Sequence, residues 1–151
     1  MKKIIIGLCI GLTLFFMTGC GKQEKNIEGT LEEIMTKVYA GISEDELPMM
    51  LSNVEVTDEN IENHLGTKDI DYQEALASES MVGSIAHSVV LVRMNDGADI
   101  EATKTLIKEK ANPAKWICVT AENVYVESKG NLSILIMSGE LADPIKTNFE
   151  Q

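Results

Sequence analysis

Val89-Val90-Leu91-Val92, inside the longer run from Met81 to Met94, is the stretch on which the fold turns. β-Branched residues dominate it, and four apolar side chains follow one another without a polar break. A half-buried surface strand alternates; a continuous apolar run of this length is the mark of a strand inside a sheet. Met81 to Met94 is therefore predicted to form a central strand, or two strands with a break near Gly83. Asp96-Gly97 punctuates its end. From Ala98 to Ala111, the residues Ile100, Thr103, Leu106, Ile107 and Ala111 recur on one side of a helix, which Asn112-Pro113 stops. Val124 to Glu127 and Leu132 to Met137 flank Lys129-Gly130-Asn131 and read as a β-hairpin. Asp143-Pro144 has the form of an N-cap with proline at the first helical position, opening a last helix through Phe149.

Upstream, the periodicity is helical. Thr30-Leu31-Glu32-Glu33 has the spacing of a capping box, and Leu31, Ile34, Met35, Val38 and Ile42 follow at helical intervals. Pro48 limits any continuation. Thr57 opens a second short helix with Ile61 and Leu65 inward and Gly66 as C-cap. The order is N-terminal helices, then β-α-β-β-α. An antiparallel sheet with helices packed on one face buries these patterns most simply, so the expected class is α+β.

The first twenty residues carry a different message. Lys2 and Lys3 precede an apolar run from Ile4 to Phe16, shorter than the ~20 residues that a spanning helix needs. Met17-Thr18-Gly19-Cys20 then resembles a bacterial lipobox, with Met17 where leucine is usual. The resemblance implies a diacylglyceryl thioether on Cys20 and cleavage after Gly19. Residues 1–19 are read as a lipoprotein signal peptide, 20–29 as lipidated cysteine and tether, and 30–151 as a single domain. The expected location is the extracytoplasmic face of the cell membrane, held by lipid on Cys20. A single acyl chain binds marginally and two or more bind stably.

Charge narrows the partners. The chain has 13 basic and 24 acidic residues, and loss of Lys2 and Lys3 with the signal peptide takes its net charge from −11 to −13. Such a surface excludes nucleic acid, whose phosphates demand cations. It also argues against electrostatic adhesion to anionic lipid. From Glu28 to Glu79 there are 14 acids and two lysines, Lys37 and Lys68. This half is either a solvated face or a docking face for a basic partner, with Glu59 and Glu62 as its candidate residues.

Residues able to do chemistry are few. Cys9 leaves with the signal peptide and Cys20 is modified, so Cys118 is the one candidate free thiol, and no disulfide or Cys-x-x-Cys pair exists in the mature chain. Its neighbours in Trp116-Ile117-Cys118-Val119 are apolar, which predicts a buried, inert sulfur. His64 and His87 are too far apart in sequence for a metal-ligand spacing and are expected to be partly exposed. Asp69, Asp71 and Glu74 imitate the start of a calcium loop, but its glycine turn and closing glutamate are missing. No nucleophile elbow or phosphate loop occurs. The expectation is no catalytic residue, no metal and no cofactor.

Ser88 to Met94, the helix after it, and Val124 to Asn131 leading into Leu132 to Met137 resemble a family of small Gram-positive bacterial lipoproteins, catalogued as a domain of unknown function. The helix ending at Leu65-Gly66 and the Asp69-Ile70-Asp71 that follows fit the same layout. The likeness spans roughly residues 30 to 150. It departs at Asn112 to Val119, where members often carry a Tyr-x-Pro segment. The resemblance implies the fold and the lipid anchor, and brings no catalytic residues. Together these readings give a membrane-anchored, non-enzymatic binding or accessory module with an envelope protein as partner. A small-ligand or ion-binding lipoprotein is the alternative, and a contiguous exposed apolar patch would favour the first.

Overall fold

The computed structural model describes residues 26–151. Residues 1–25, with the expected signal peptide, Gly19 and Cys20, lie outside the described residues. The described residues form four helices and five strands, in the order α1 (Leu31–Val38), β1 (Leu51–Val56), α2 (Ile61–Leu65), β2 (Tyr72–Ser80), β3 (Ser88–Met94), α3 (Ile100–Lys110), β4 (Asn123–Lys129), β5 (Leu132–Ser138) and α4 (Ala142–Glu150). The strands form one sheet in the order β1-β2-β3-β5-β4, and every neighbouring pair is antiparallel. The fold is α+β, as the patterns predict.

The helices, expected on one face, cover both. Strand side chains alternate between faces, so a strand that is apolar at every position needs cover on each side. All seven residues of β3 and all seven of β5 are buried. Val89, Leu91, Leu132, Ile134 and Ile136 pack with Leu31, Ile34 and Val38 of α1 and Ile145 and Phe149 of α4. Val90, Val92, Met94, Leu135 and Met137 pack on the other side with Ile61 and Leu65 of α2 and Ile107 of α3. The sheet is the middle of three layers.

Two strands stand where the sequence predicts none. β1 and β2 interrupt the run of N-terminal helices, and β3 starts only at Ser88 because Met81 to Ser84 form a turn. β2 has the composition Tyr-Gln-Glu-Ala-Leu-Ala-Ser-Glu-Ser, richer in helix formers than in β-branched residues. Pairing with β1 on one edge and β3 on the other overrides that preference.

Local signals elsewhere hold in part: α1 stops at Val38, a turn short of Ile42, and α2 starts at Ile61 after a turn from Thr57. Thr30 and Glu33 form both bonds of the capping box, with Glu33 N–H donating to Thr30 Oγ1 at 3.2 Å and Thr30 N–H to Glu33 Oε2 at 3.1 Å. Gly66 closes α2 with φ of 76°, and a Cβ there would stand 1.9 Å from the carbonyl oxygen of Lys110 at the end of α3. Only glycine allows both that backbone angle and that approach. The β4–β5 turn is the tight one expected around Gly130 and Asn131. α4 begins at Ala142, one residue before the predicted cap, so Pro144 falls in the first turn, where its missing N–H costs nothing. Asp143 instead accepts a hydrogen bond from the Tyr125 hydroxyl at 2.8 Å.

Arg93, the only arginine of the chain, fastens the entering segment to the far end of β3. Its guanidinium donates to the carbonyls of Ile27 at 2.8 Å and Gly29 at 2.7 Å, and to Glu74 at 2.6 Å. The last residues of the predicted tether are thus seated on the sheet.

Candidate functional site

The polar chemistry of the interior gathers at the opposite end of the sheet, where β2 ends and β3 begins. Glu79 and Ser88 are register partners there, on the face covered by α2 and α3. Glu79 Oε1 accepts from Ser88 Oγ at 2.6 Å, from Lys115 Nζ at 2.6 Å, and meets His64 Nδ1 at 3.0 Å. α2 supplies the histidine, and the loop after α3 supplies the lysine, whose Nζ also lies 5.2 Å from the centre of the Trp116 ring. Burial alone would raise the Glu79 carboxyl. The bonds from His64 and Lys115, the charge of Lys115 and the Ser88 hydroxyl outweigh it and hold the group down at about 2. Glu79 is an anion whose Oε1 receives all three contacts, a poor general acid or base near neutrality.

This cluster forms the floor of an open cleft of about 530 Å³, whose walls include Glu62, Asn63, Met81, Asn112 and Trp116. Across the sheet lies a second cluster. His87 Nε2 is 2.7 Å from the Tyr39 hydroxyl and Nδ1 is 2.8 Å from Ser138 Oγ. Burial pushes the His87 ring down to about 4, against the opposing charge of Glu79, and pushes the Tyr39 hydroxyl well above its ordinary range. A neutral ring satisfies both contacts in either tautomer, because each partner is a hydroxyl that can donate or accept.

The structure corrects two expectations. His64 and His87 are both buried, one on each face, rather than partly exposed. Cys118 is exposed, not buried: Trp116 to Val119 is a loop, and Cys118 holds a φ of 60° that turns the chain outward. Among the described residues, no hydrogen bond joins Cys118 to either histidine. The acids that imitated a calcium loop serve the frame, Asp71 accepting from Asn95 and Glu74 from Arg93. Among the described residues no group of three or more His, Cys, Asp or Glu is placed to hold a metal. Glu59 and Glu62 are both exposed; Glu62 borders the cleft, and Glu59 sits on the turn before α2.

Beside the cleft is a feature that sequence reading missed. Met49, Met50, Met81 and Ile117 are 70, 68, 59 and 71% exposed, the large apolar side chains left open among the described residues. They come from three distant segments and meet at one tip. Met81 N–H donates to the Met50 carbonyl at 3.1 Å, Ser80 Oγ donates to the Met49 carbonyl at 2.8 Å, and Ile117 N–H donates to the Gly83 carbonyl at 2.8 Å. No linear pattern joins positions 49, 81 and 117, so only the fold reveals the patch.

An antiparallel five-stranded sheet between two helical layers defines the class of this protein as α+β. Neither a protein-family model, nor a curated protein, nor a solved structure matches the chain.

Proposed function

We propose that this protein is a membrane-anchored bacterial lipoprotein, held through Cys20 on the extracytoplasmic face, that acts as a non-enzymatic binding module for another protein of the cell envelope. The observation that carries the reading is the apolar tip of Met49, Met50, Met81 and Ile117. Four large apolar groups left in water at one place mark an interaction site more often than chance exposure. The interior chemistry supports the same reading. Glu79 is locked as an anion, His87 is held neutral, and the exposed Cys118 has no histidine partner to activate it.

The small-ligand alternative draws on the cleft over Glu79. Its two innermost charges, Glu79 and Lys115, neutralise one another at 2.6 Å, which leaves little unspent attraction for a ligand ion. Metabolic labelling with a fatty acid tests the anchor: label is expected on the wild type and absent from Cys20→Ala, which should also leave the membrane fraction. Label persisting in Cys20→Ala would defeat the reading.

A further inference from the structure

The tip has a composition and a setting that specify what it binds. Three of its four exposed side chains are methionines, whose unbranched thioethers adapt to varied apolar partners. The loop that delivers Met49 and Met50 carries Glu44, Asp45 and Glu46, all exposed, and Glu62 stands on the cleft wall that Met81 shares. Among the described residues, the one lysine or arginine lining that cleft, Lys115, is bonded to Glu79. The tip is therefore apolar, with acids on the loop that leads to it and on the adjoining cleft wall. Met50, with φ of 54°, and Cys118, with φ of 60°, are the two non-glycine residues with positive φ among the described residues; the first belongs to the patch and the second follows Ile117 of it. Backbone held in that region is costly and gathers at binding sites.

Two observations favour a protein over the bilayer as the occupant. The chain enters the domain at Ile27 to Gly29, clamped by Arg93 at one end of β3, and the patch lies beyond Ser88 at the other. Five residues of strand separate the two ends by about 17 Å. With lipid on Cys20 the entry end is the tethered one, and the apolar tip lies at the far end of the strand from it. An acidic rim would in any case be repelled by anionic lipid.

We infer that this tip is the docking surface for a basic amphipathic segment of a partner protein, its apolar side chains set among Met49, Met50, Met81 and Ile117 and its Lys or Arg residues facing Glu44, Asp45, Glu46 and Glu62. A helix with apolar residues on one face and cations on the flanks satisfies both demands at once. The inference rests on the anchored-module reading for its orientation, and it is tested separately from the anchor.

The full chain in zwitterionic nanodiscs, titrated with a synthetic amphipathic helix of Leu and Lys, gives the test. Trp116, the only tryptophan, lies on the cleft wall beside Met81 and reports binding by its emission. Saturable binding is expected. It should weaken about tenfold or more in the double variant Met81→Gln/Ile117→Gln, as loss of central apolar anchors does. It should also weaken with added salt, less steeply in Glu44→Gln/Asp45→Asn. A Leu/Glu helix of the same length should not bind. Equal binding of the two helices, or an affinity unmoved by Met81→Gln/Ile117→Gln, overturns the inference. So does a photo-crosslinker at position 117 that joins only lipid or a second copy of this chain. Fatty-acid labelling of Cys20 is read independently. A labelled, anchored protein that ignores the Leu/Lys helix would therefore defeat the docking inference and leave the anchored module standing.

Discussion

Two histidines sit at the same end of the same sheet, and the fold treats them in opposite ways. His87 lies on the face covered by α1 and α4, between the hydroxyls of Tyr39 and Ser138, with no charged group bonded to it. His64 comes from α2 on the other face and meets Glu79, which Lys115 and Ser88 also hold. Strand parity makes the division. His87 and Ser88 are consecutive, so their side chains leave the sheet in opposite directions. One face has built a neutral polar cluster and the other an ionic one. A neutral cluster can be closed over; an ionic one is cheaper to keep where water reaches it, and the ionic one is the floor of the open cleft.

Acid should separate the two clusters, and this is the largest effect expected. The folded state lowers His87 from 6.5 to about 4, favouring the neutral ring. That stability is fully present above pH 6.5 and is lost as pH falls toward 4. Glu79 is lowered from 4.5 to about 2, so its contribution is present above pH 4.5 and is lost as pH falls toward 2. Each window is worth about 3 kcal/mol at a slope near 1.4 kcal/mol per pH unit. Urea melts from pH 7 to pH 2 should show stability falling through both. In His87→Phe the decline between 6.5 and 4 should flatten while the lower one persists, whatever the absolute stability of the variant. An unchanged upper slope would mean that His87 is not held neutral.

Breaking the ionic cluster from one side comes next. Glu79→Gln leaves Lys115 as a half-enclosed charge without its counter-ion, at a cost of about 3 kcal/mol. Lys115→Met keeps the aliphatic stem and removes the charge, leaving Glu79 with only His64 and Ser88. The double variant should be less destabilised than the sum of the two by about 1 kcal/mol or more, because neither charge is then stranded. Additive losses in a thermal-melt cycle would show that the 2.6 Å pair contributes no coupling.

How much of this was legible in sequence follows from the range of each signal. The capping box, the Gly66 stop, the hairpin around Gly130 and the helix before Asn112 are local, and local chemistry sets them. β3 was legible because its apolar run is continuous. The same continuity implies cover on both faces, which the single-layer expectation overlooked. β2 was not legible, because Glu74-Ala75-Leu76-Ala77 favours a helix and only its two neighbours make it a strand. Cys118 misled for a related reason: Trp116 and Val119 pack partly, but a residue with positive φ sends the sulfur outward. The Glu79 cluster draws on β2, β3, α2 and a loop, and the apolar tip on three loops. Neither leaves a spacing in the chain.

The smallest effect compares the two serines, one on each face. Ser88 donates to a carboxylate, and such charge-assisted bonds are the stronger kind in isolation. Ser138 bonds a neutral imidazole. The cost of deletion follows what is left behind, not the strength of the bond removed. In Ser88→Ala, Glu79 keeps Lys115 and His64, and no buried group is orphaned. In Ser138→Ala, His87 Nδ1 loses its hydroxyl partner at a site about 1% exposed. Ser138→Ala is expected to cost about 1 kcal/mol or slightly more and Ser88→Ala about half of that, by urea melts at pH 7. The reverse order would mean that the carboxylate depends on Ser88 more than on Lys115, and that the ionic cluster is organised from the strand rather than from the loop.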